Sequence, residues 1–577
     1  LTVCAAGAVC LSACGDESIA GVKGKYVELP YDTGVSGKNY NTDLFYRNDQ
    51  DIAAPDPGVT YVPEGLQDGG YYYMYNTEST TVNSSEMKSA AFWVTRSKDL
   101  NDWEMCGKVN AGFAFAVTSD SWMDSRLWAP ECYYDENDGM FYLYFTAASK
   151  QGNGSQEYSS SSVTAARTYI CVAKSASPMG PFEYVTGVNA DGETLTAENP
   201  QINFRKALGL DYDFGVIDVH LFEDGGKTYM YFCESRDVPR PDGKKSVGGI
   251  WVAEMKDRVT PDYSTLTKLA VPGVKKVTFT ERGINATYTE EGVFSTAQGA
   301  LIANEEGINE GPFMIKHGNK YYLTYSQGGY MSSKYSVWQA VGDSPMGPFT
   351  KLEASEGGLI LGASPENDWL VGTAHHCFTY AGDELMIVYH GHLNPANYTD
   401  NDGRGIAVDR VLFVDGGNGY DVMIANGPTK SLQYLSESIS GYKNLAPLAT
   451  VKATGGEDSA VKYLTDGLIP FHTAFAGERI YRSSDKITIT LTFEQAVEIN
   501  SVMIFNGREY RSAFAAIDSI AFRLSEIPAW FNGVKADYAV IQNLAFPGEY
   551  FDDLNETVRA GAAATAAVRR GIPVAGA

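Results

Sequence analysis

Short runs of alternating apolar and polar residues, separated by polar turns, recur along most of this chain. The clearest case is 309–326, where an apolar run, the turn His-Gly-Asn-Lys and the aromatic run Tyr321–Tyr325 predict a β-hairpin. An acid, Glu310, stands at the start of its first strand. Because Pro312 disfavours a helical conformation in the preceding residue, the pattern also predicts an extended backbone at Gly311.

The pattern of a polar turn followed by an aromatic strand occurs five times. Its strands are Tyr71–Tyr75, Phe141–Phe145, Thr228–Phe232, Tyr321–Tyr325 and Leu385–Tyr389. Most are followed by another strand, and two of the later turns are nearly identical, at Ser177–Phe182 and Ser344–Phe349. Units of short strands that repeat about every 65 to 95 residues are typical of propeller blades. The chain is therefore predicted to be all-β, with a five-bladed β-propeller at 41–437.

Ionisable side chains stand at nearly the same place in front of the five aromatic strands. They are Asp56, Glu131, Asp218, Glu310 and His375. Equivalent positions of the inner strands of a propeller meet around one axis, so these side chains are expected to converge. Each carboxylate in such a group raises the cost of ionising the others, which stability alone would not favour. We interpret the convergence as a functional site, and a pair of carboxyls there suits acetal hydrolysis.

The pattern changes after residue 437. Lys486–Phe493 alternates strictly and predicts a half-buried strand, and Val502–Asn506 predicts a more buried one. Asn444–Val451 and Tyr463–Leu468 resemble the opening of discoidin-like (coagulation factor 5/8 C-type) β-sandwiches. A smaller β-sandwich is therefore expected at 438–560, either binding sugar or packing against a catalytic partner. A low-complexity tail is expected at 561–577.

The first residues are apolar and then abruptly polar. Leu11–Cys14 resembles the lipobox of a bacterial lipoprotein signal, which implies cleavage before Cys14 and lipidation of its sulfur. The alternative is an ordinary signal peptide. Residues 1–40 are thus expected to be a signal remnant and linker, and the protein to be extracellular and lipid-anchored to the cell surface. No other stretch approaches the roughly 18 apolar residues of a membrane span.

Composition narrows the class of partner. The formal net charge is −26 and the isoelectric point is near 4.7, which argues against nucleic acid and anionic lipid. A neutral ligand fits better, and the 37 tyrosines suit both β-structure and contact with carbohydrate. Nothing in the sequence indicates an oligomeric state.

Five motifs, in order between about residues 40 and 430, resemble glycoside hydrolase family 43. They are Ala54-Pro-Asp-Pro-Gly-Val, Trp128-Ala-Pro-Glu, Ile217-Asp-Val-His, Asn309-Glu-Gly-Pro-Phe and Gly372-Thr-Ala-His. The resemblance implies an inverting mechanism on an oligosaccharide or polysaccharide. Asp56 would be the general base, Glu310 the general acid, and Asp218 the residue that orients Glu310 and raises its proton affinity. An inverting site places its two working carboxyls about 6.5–9.5 Å apart.

Four further residues are candidates for binding. Trp128 is either a sugar platform or a core aromatic, and Glu131 is expected to line the pocket. Arg404 resembles a family arginine that reaches the substrate, although a surface salt bridge is the alternative. His375 resembles a family histidine near the axis that holds water around calcium or another ion. Since calcium prefers oxygen ligands, an ion there would be structural, and the chemistry needs no cofactor.

The resemblance favours arabinofuranose- or xylose-containing plant glycans as substrates, that is, an α-L-arabinofuranosidase or β-xylosidase. An endo-arabinanase of the same family is an alternative. A non-catalytic, surface glycan-binding lipoprotein is another, against which the intact Asp56, Asp218 and Glu310 speak. A retaining, fructan-cleaving enzyme would carry Asn-Asp-Pro-Asn at the front, where this chain has Ala-Pro-Asp-Pro-Gly.

Overall fold

A computed structural model gives the conformation of most of residues 42–497. Within that stretch the residues it leaves undescribed are 49–51, 78–90, 110–111, 119–120, 150–167, 197–198, 204–214, 236–247, 284–287, 295–304, 306, 363–369, 393–403, 430–432, 470–474, 476–478 and 485. Outside it, the description covers short strands, with one further residue at 504.

Five antiparallel sheets, labelled A to E, follow one another along residues 58–425. Sheet A comprises Gly58–Val62, Tyr71–Tyr75, Ala91–Ser97, Glu104–Met105 and Phe113–Ala116. Sheet B comprises Met123–Asp135, Met140–Ser149, Thr168–Ser175 and Glu183–Tyr184. Sheet C comprises Val216–Asp224, Lys227–Glu234, Ile250–Met255 and Pro261–Ala270. Sheet D comprises Asn309–His317, Lys320–Gln327, Ser336–Gly342, Phe349–Lys351, Leu359–Leu361 and the hairpin Val274–Phe279 with Tyr288–Val293. Sheet E comprises Val371–Ala381, Glu384–His392, Arg404–Asp415 and Asp421–Ala425.

The hydrophobic core lies between neighbouring sheets. Separate clusters of buried side chains join A to B, B to C, C to D, D to E and E back to A. The aromatic second strand of each sheet is buried on both faces, because the sheet packs between two neighbouring sheets. Tyr73 and Met74, successive residues of sheet A, are both buried. The sheets therefore close into a propeller-like ring, and the predicted all-β class is confirmed.

The two ends of this region meet at sheet E. Phe45–Tyr46 pairs with Gln433–Tyr434. The Asn48 amide nitrogen donates to the carbonyl oxygen of Val408 at 3.0 Å, and Ala53 bridges to Gly405. These contacts hold the segment before Asp56 against the last sheet, so the chain that starts the ring also closes it.

The predicted hairpins are present, and one detail differs from expectation. Gly311 has a φ of +53°, so the extended conformation predicted from Pro312 is wrong. Glycine adopts this left-handed region at little cost. Pro261–Ala270 still belongs to the repeat, as the fourth strand of sheet C, before the chain departs from that repeat. The departure begins only at the hairpin that extends sheet D.

The remaining elements are short. Gly187–Val188 pairs with Thr194–Leu195 as a small two-stranded sheet. Short helical segments occur at Ala354–Glu356, Glu437–Ser440, Ala446–Leu448 and Asp458–Leu464. C-terminal strands lie at Thr450–Ala453, Thr488–Thr492, Ser501–Met503, Ala516–Arg523, Tyr538–Ala545 and Ile572–Pro573. Among the described residues, no helix is both long and apolar enough to traverse a bilayer.

The first residues of the chain contribute strands to the C-terminal sheets. Thr2–Cys4, Val9–Ser12 and Gly24–Tyr26 pair with strands beyond residue 487. Cys14 of the predicted lipobox lies outside the described residues, as does the predicted tail at 561–577 apart from Ile572–Pro573.

Candidate active site

A residue with a left-handed backbone stands at an equivalent place near the start of every sheet. These residues are Asp56 (φ 52°), Ala129 (43°), Asp218 (57°), Gly311 (53°) and His375 (46°). Each stands two residues before the position at which regular pairing with the second strand starts or resumes. For a non-glycine residue this conformation costs roughly 1–2 kcal/mol. Strain repeated around one ring marks a place where side-chain direction matters more than stability.

The pairing of the first two strands in each sheet also shows which of the five predicted ionisable residues are equivalent. Glu131 comes two residues after the left-handed position of sheet B, which Ala129 occupies. Glu310 comes one residue before the left-handed position of sheet D, which Gly311 occupies. The five ionisable residues were expected to be equivalent, but only those of sheets A, C and E are, because glycine and alanine take this position in the other two.

Asp56 is surrounded by an arginine, two histidines and a threonine hydroxyl. Its Oδ1 lies 2.7 Å from Nη1 of Arg404 and 3.3 Å from Nδ1 of both His375 and His390. Its Oδ2 accepts a hydrogen bond from the Thr77 hydroxyl at 2.7 Å. Its backbone N–H donates to Nδ1 of His390 at 3.0 Å, which assigns that nitrogen as an unprotonated acceptor.

These contacts decide the charge of Asp56. Burial of the carboxyl raises its pKa, but the Arg404 guanidinium, followed by His375 and the Thr77 hydroxyl, more than offsets burial. His390 adds no charge, because burial lowers its pKa well below the ordinary value. The net pKa lies well below the usual range for aspartate. Asp56 is therefore a carboxylate at any pH at which the protein would work.

Glu310 and Asp218 meet through one peptide group. Oδ2 of Asp218 accepts a hydrogen bond from the backbone N–H of Gly311, the residue after Glu310, at 3.0 Å. On the other side, the hydroxyl of Tyr335 donates to Oε1 of Glu310 at 2.6 Å. The backbone and the side chain of the predicted acid are thus held by different partners.

Glu310 is kept protonated by its surroundings. Burial raises its pKa, the Tyr335 hydrogen bond lowers it, the charge of Asp56 raises it and Arg404 lowers it, with a net value of about 7. Asp56 is therefore one source of the charge that raises this pKa. The resemblance implies Asp218 as another, and the charges of Asp218 and Glu310 interact.

Asp218 has a raised pKa as well. Burial is the main cause, His375 opposes it, and the charges of Glu310 and Asp56 add to it, giving a value of about 7. Since Asp218 and Glu310 interact, their two protons leave as a coupled pair. At acidic pH both are neutral beside an ionised Asp56, which is the asymmetry that acid–base chemistry requires.

Arg404 lies inside this group rather than in a surface salt bridge. Its guanidinium lies 4.8 Å from the ring centroid of Tyr330, and its carbonyl accepts the backbone N–H of Ala54 at 2.8 Å. The same side chain therefore holds Asp56, packs against an aromatic ring and anchors the segment that precedes Asp56.

Trp128 borders the site and is half-buried. Its ring packs against the cluster of Ile217, Cys233 and Ile308, two of which lie just before the motifs of Asp218 and Glu310. The guanidinium of Arg126 lies 5.4 Å from the ring centroid. Trp128 is thus placed beside the acids, with part of its surface covered by protein.

Glu131 contacts a different layer of the ring. Its carboxylate lies 3.0 Å from Nδ1 of His220, whose ring stacks on Phe313 with a centroid distance of 3.9 Å. Glu131, His220 and Phe313 all stand two residues beyond the left-handed position of their sheets. Glu131 therefore positions His220 below the catalytic group and has no described contact with Asp56 or Glu310.

His375 is engaged on one ring nitrogen. Nδ1 lies 3.3 Å from Oδ1 of Asp56 and 3.4 Å from the hydroxyl oxygen of Tyr335. Among the described residues, no three His, Cys, Asp or Glu side chains are arranged to hold a metal ion. Calcium takes six to eight oxygen ligands. The described residues do not form such a cage, so an ion beside His375 would take most of its ligands from water.

Three residues of the site were missed from sequence. Thr77 follows a strand of sheet A, Tyr335 precedes the third strand of sheet D, and His390 lies in the second strand of sheet E. Only His390 carried a signal, because a histidine in an otherwise apolar strand needs a polar partner. The Thr77 hydroxyl oxygen also accepts a hydrogen bond from the backbone N–H of Ala129 at 2.8 Å. Because the same hydroxyl donates to Asp56, it links Asp56 to sheet B.

A buried ion pair holds the strand that carries Glu310. Nζ of Lys351 lies 2.6 Å from Glu305 and donates to Oδ1 of Asn309 at 2.8 Å. The Lys351 and Glu305 side chains are 2% and 0% exposed. Burial lowers the pKa of Lys351 to about 8, although Glu305 opposes that shift. Asn309 directly precedes Glu310, so this pair fixes the start of the acid's strand.

Breaking that pair is expected to destabilise the fold. Lys351→Met leaves the Glu305 carboxylate buried without its cation, which costs about 3–5 kcal/mol. Lys320→Met, which removes an exposed pair with Asp343 in the same sheet, should cost less than about 1 kcal/mol. Urea unfolding of both variants measures the difference, and equal losses would contradict the buried pair's structural role.

The arrangement combines one carboxylate held ionised, just before sheet A, with a neutral carboxylic acid on sheet D. Such a pair can activate a water at one point and protonate a leaving oxygen at another. The chemistry that this pair supports is proton transfer.

Comparison with known proteins agrees with this chemistry. Residues 53–417 match the family Glycosyl hydrolases family 43. A β-D-galactofuranosidase of Aspergillus niger is 25% identical over 375 residues, covering 63% of this chain and 82% of that protein. Xylosidase/arabinosidase 43A of Humicola insolens is 29% identical over 282 residues, covering 48% of this chain and 70% of that protein.

Solved structures are also similar. A thermostable family-43 glycoside hydrolase is 25% identical, with a TM-score of 0.46 over 67% of this chain and 98% of that one. The family match spans more than half of this chain and includes all five motifs. The chain therefore belongs to glycosyl hydrolase family 43.

Proposed function

We propose that this glycoside hydrolase cleaves arabinofuranosyl or xylosyl bonds of plant glycans with inversion at the anomeric carbon. The observation that carries the proposal is the opposite charge state of its two working acids. Asp56 is held ionised by Arg404 and Thr77, whereas Glu310 is held protonated by burial and by the charge of Asp56. Inversion requires this pairing of a general base with a general acid.

The reaction is a single displacement. Glu310 gives its proton to the glycosidic oxygen as the bond from that oxygen to the anomeric carbon breaks. A water attacks the same carbon from the opposite face, and Asp56 takes a proton from that water. Asp218 holds the Gly311 N–H and thereby the backbone beside the acid. At the end Asp56 is protonated and Glu310 ionised, and exchange with solvent restores the starting state.

The sugar is proposed from the relatives. Those matched include a β-xylosidase of Xylanibacter ruminicola and a xylosidase/arabinosidase, which act on pentoses by name. Trp128, Arg404 and Tyr330 at the edge of the acids are the side chains we propose to contact the sugar. Endo-arabinanase activity is the second candidate.

The finer architecture is proposed as well. Sheets A to E are inferred to be five blades, because five core clusters join them in a closed order. The region 438–560 is proposed to be a discoidin-like β-sandwich. The motif at Leu11–Cys14 supports the proposal of an extracellular protein anchored by lipid to the bacterial surface.

Hydrolysis assays test the activity. Aryl α-L-arabinofuranoside, aryl β-xyloside and linear arabinan should be compared, with proton NMR of the first-formed anomer. Release of an inverted pentose supports the proposal. A retained configuration contradicts the mechanism, and cleavage of arabinan alone favours the endo-acting alternative.

The rate should fall as pH rises above about 7. The acid must be protonated, and the coupled Glu310 and Asp218 lose their protons around that pH. On the acid side, Asp56 stays ionised far below neutrality, so kcat/KM should remain flat over mildly acidic pH. A kcat/KM profile measures this, and a maximum in the alkaline range would refute the acid assignment.

A further inference from the structure

Tyr335 is the described side chain that touches both the acid and the histidine beside the base. Its hydroxyl donates to Oε1 of Glu310 at 2.6 Å and lies 3.4 Å from Nδ1 of His375. The residue is fully buried at 0% exposure. A hydroxyl carries one proton, so it donates to only one of these two neighbours at a time.

The state of Asp56 decides which neighbour receives it. Nδ1 of His375 lies 3.3 Å from Oδ1 of Asp56, which is ionised. Nδ1 of His390 lies equally close but accepts the backbone N–H of Asp56, whereas Nδ1 of His375 receives no such backbone donor among the described residues. A bare nitrogen on His375 would face the carboxylate with a lone pair, so we assign the ring proton to Nδ1, directed at Asp56. That nitrogen then accepts nothing from Tyr335. The hydroxyl proton is left for Glu310.

The donation has a consequence for the acid. An oxygen that accepts the Tyr335 hydroxyl at 2.6 Å is a poor place for the carboxylic proton, because two protons would meet between the same atoms. The proton of Glu310 therefore stays on Oε2. In the part of the chain that the structure describes, Oε2 receives no hydrogen bond, so its proton is free to reach a glycosidic oxygen.

We infer that Tyr335 is a positioning residue that keeps the proton of the general acid on the oxygen facing the substrate. The inference rests on the proposed role of Glu310 and extends it to a residue that never contacts the sugar. Burial also keeps the pKa of the Tyr335 hydroxyl well above its ordinary value, so this donor does not ionise.

Leaving-group dependence tests the inference. Tyr335→Phe and wild type should be compared on aryl glycosides of the sugar that wild type hydrolyses, from dinitrophenyl to phenyl. Phenolate from phenol leaves poorly without a proton, whereas dinitrophenolate leaves unaided. We expect kcat on the phenyl glycoside to fall about tenfold to a hundredfold, the effect of losing a hydrogen bond to an ionisable group. The dinitrophenyl rate and the KM values should change little.

Tyr231→Phe is the matched control. Tyr231 lies on sheet C, away from the acids, and its ring is as buried as that of Tyr335. Its hydroxyl donates to the carbonyl oxygen of Pro345 at 2.7 Å. It loses one buried hydrogen bond of similar length, so both variants should lose similar stability in thermal unfolding. Only Tyr335→Phe should show the leaving-group dependence.

A double variant distinguishes the positioning role of Tyr335 from the proposed role of Glu310 as the general acid. If Tyr335 acts through Glu310, adding Tyr335→Phe to Glu310→Gln should slow the phenyl glycoside no further. If Glu310→Gln shows leaving-group dependence but Tyr335→Phe slows all substrates equally or none, the role of Tyr335 is refuted alone. If Glu310→Gln shows no such dependence, the proposed acid itself fails.

Discussion

Glu310→Gln should lower kcat on a phenyl glycoside by about a hundredfold to ten-thousandfold, the usual contribution of a general acid. Glutamine keeps the size of the side chain and can still accept the Tyr335 hydroxyl on its carbonyl oxygen, but it has no acidic proton to give. Because the acid of the wild type is neutral, the exchange replaces one neutral group by another. The free energy of unfolding should therefore change little.

The substrate series distinguishes this loss from a general defect. A dinitrophenyl glycoside, whose leaving group needs no proton, should be hydrolysed by Glu310→Gln far better than the phenyl glycoside is. Urea unfolding serves as the folding control. Near-normal kcat on the phenyl glycoside would refute Glu310 as the acid.

Asp56→Asn should lose a similar factor, about a hundredfold to ten-thousandfold, on every substrate alike. The base activates water, and attack by water is required whatever the leaving group. Asparagine preserves the hydrogen bond from Thr77 but removes the charge that faces Arg404. The loss should therefore lie in kcat with no dependence on the leaving group.

A second effect follows from the charge of Asp56. That charge is one of the causes that raise the pKa of Glu310, so removing it should let the acid ionise at a lower pH. The residual activity of Asp56→Asn should fall off at a pH below that of the wild type. A variant that matched wild type on dinitrophenyl glycosides, or whose basic limb moved upward, would contradict the assignment of Asp56.

Much of this site follows from local patterns. The repeat of turn and aromatic strand predicted the hairpins, and each hairpin presents its first residues at the same end of the ring. Asp56, Asp218 and Glu310 could be named for that reason, since spacing within a hairpin is a local property of the chain. Their roles rest further on the family motifs and stay predictions until the variants are measured.

Other features were decided only by packing between sheets. Thr77, His390 and Tyr335 reach the acids from strands and loops whose local sequence carries no common pattern. Gly58 shows the constraint clearly, since a Cβ there would lie 2.2 Å from the carbonyl oxygen of Pro130 on the next sheet. Such close approaches depend on how two sheets stack, which no single stretch of sequence encodes.

The charge states also needed the tertiary structure. From sequence, Asp218 alone was expected to raise the proton affinity of Glu310, but burial and the charge of Asp56 raise it as well. A pKa depends on burial and on neighbours within a few ångströms, and those neighbours are distant in sequence. Which acids are present, and where they stand along the chain, follows from the sequence. Which of them is ionised and which keeps its proton follows from the closing of the ring, because burial and neighbouring charges arise only there.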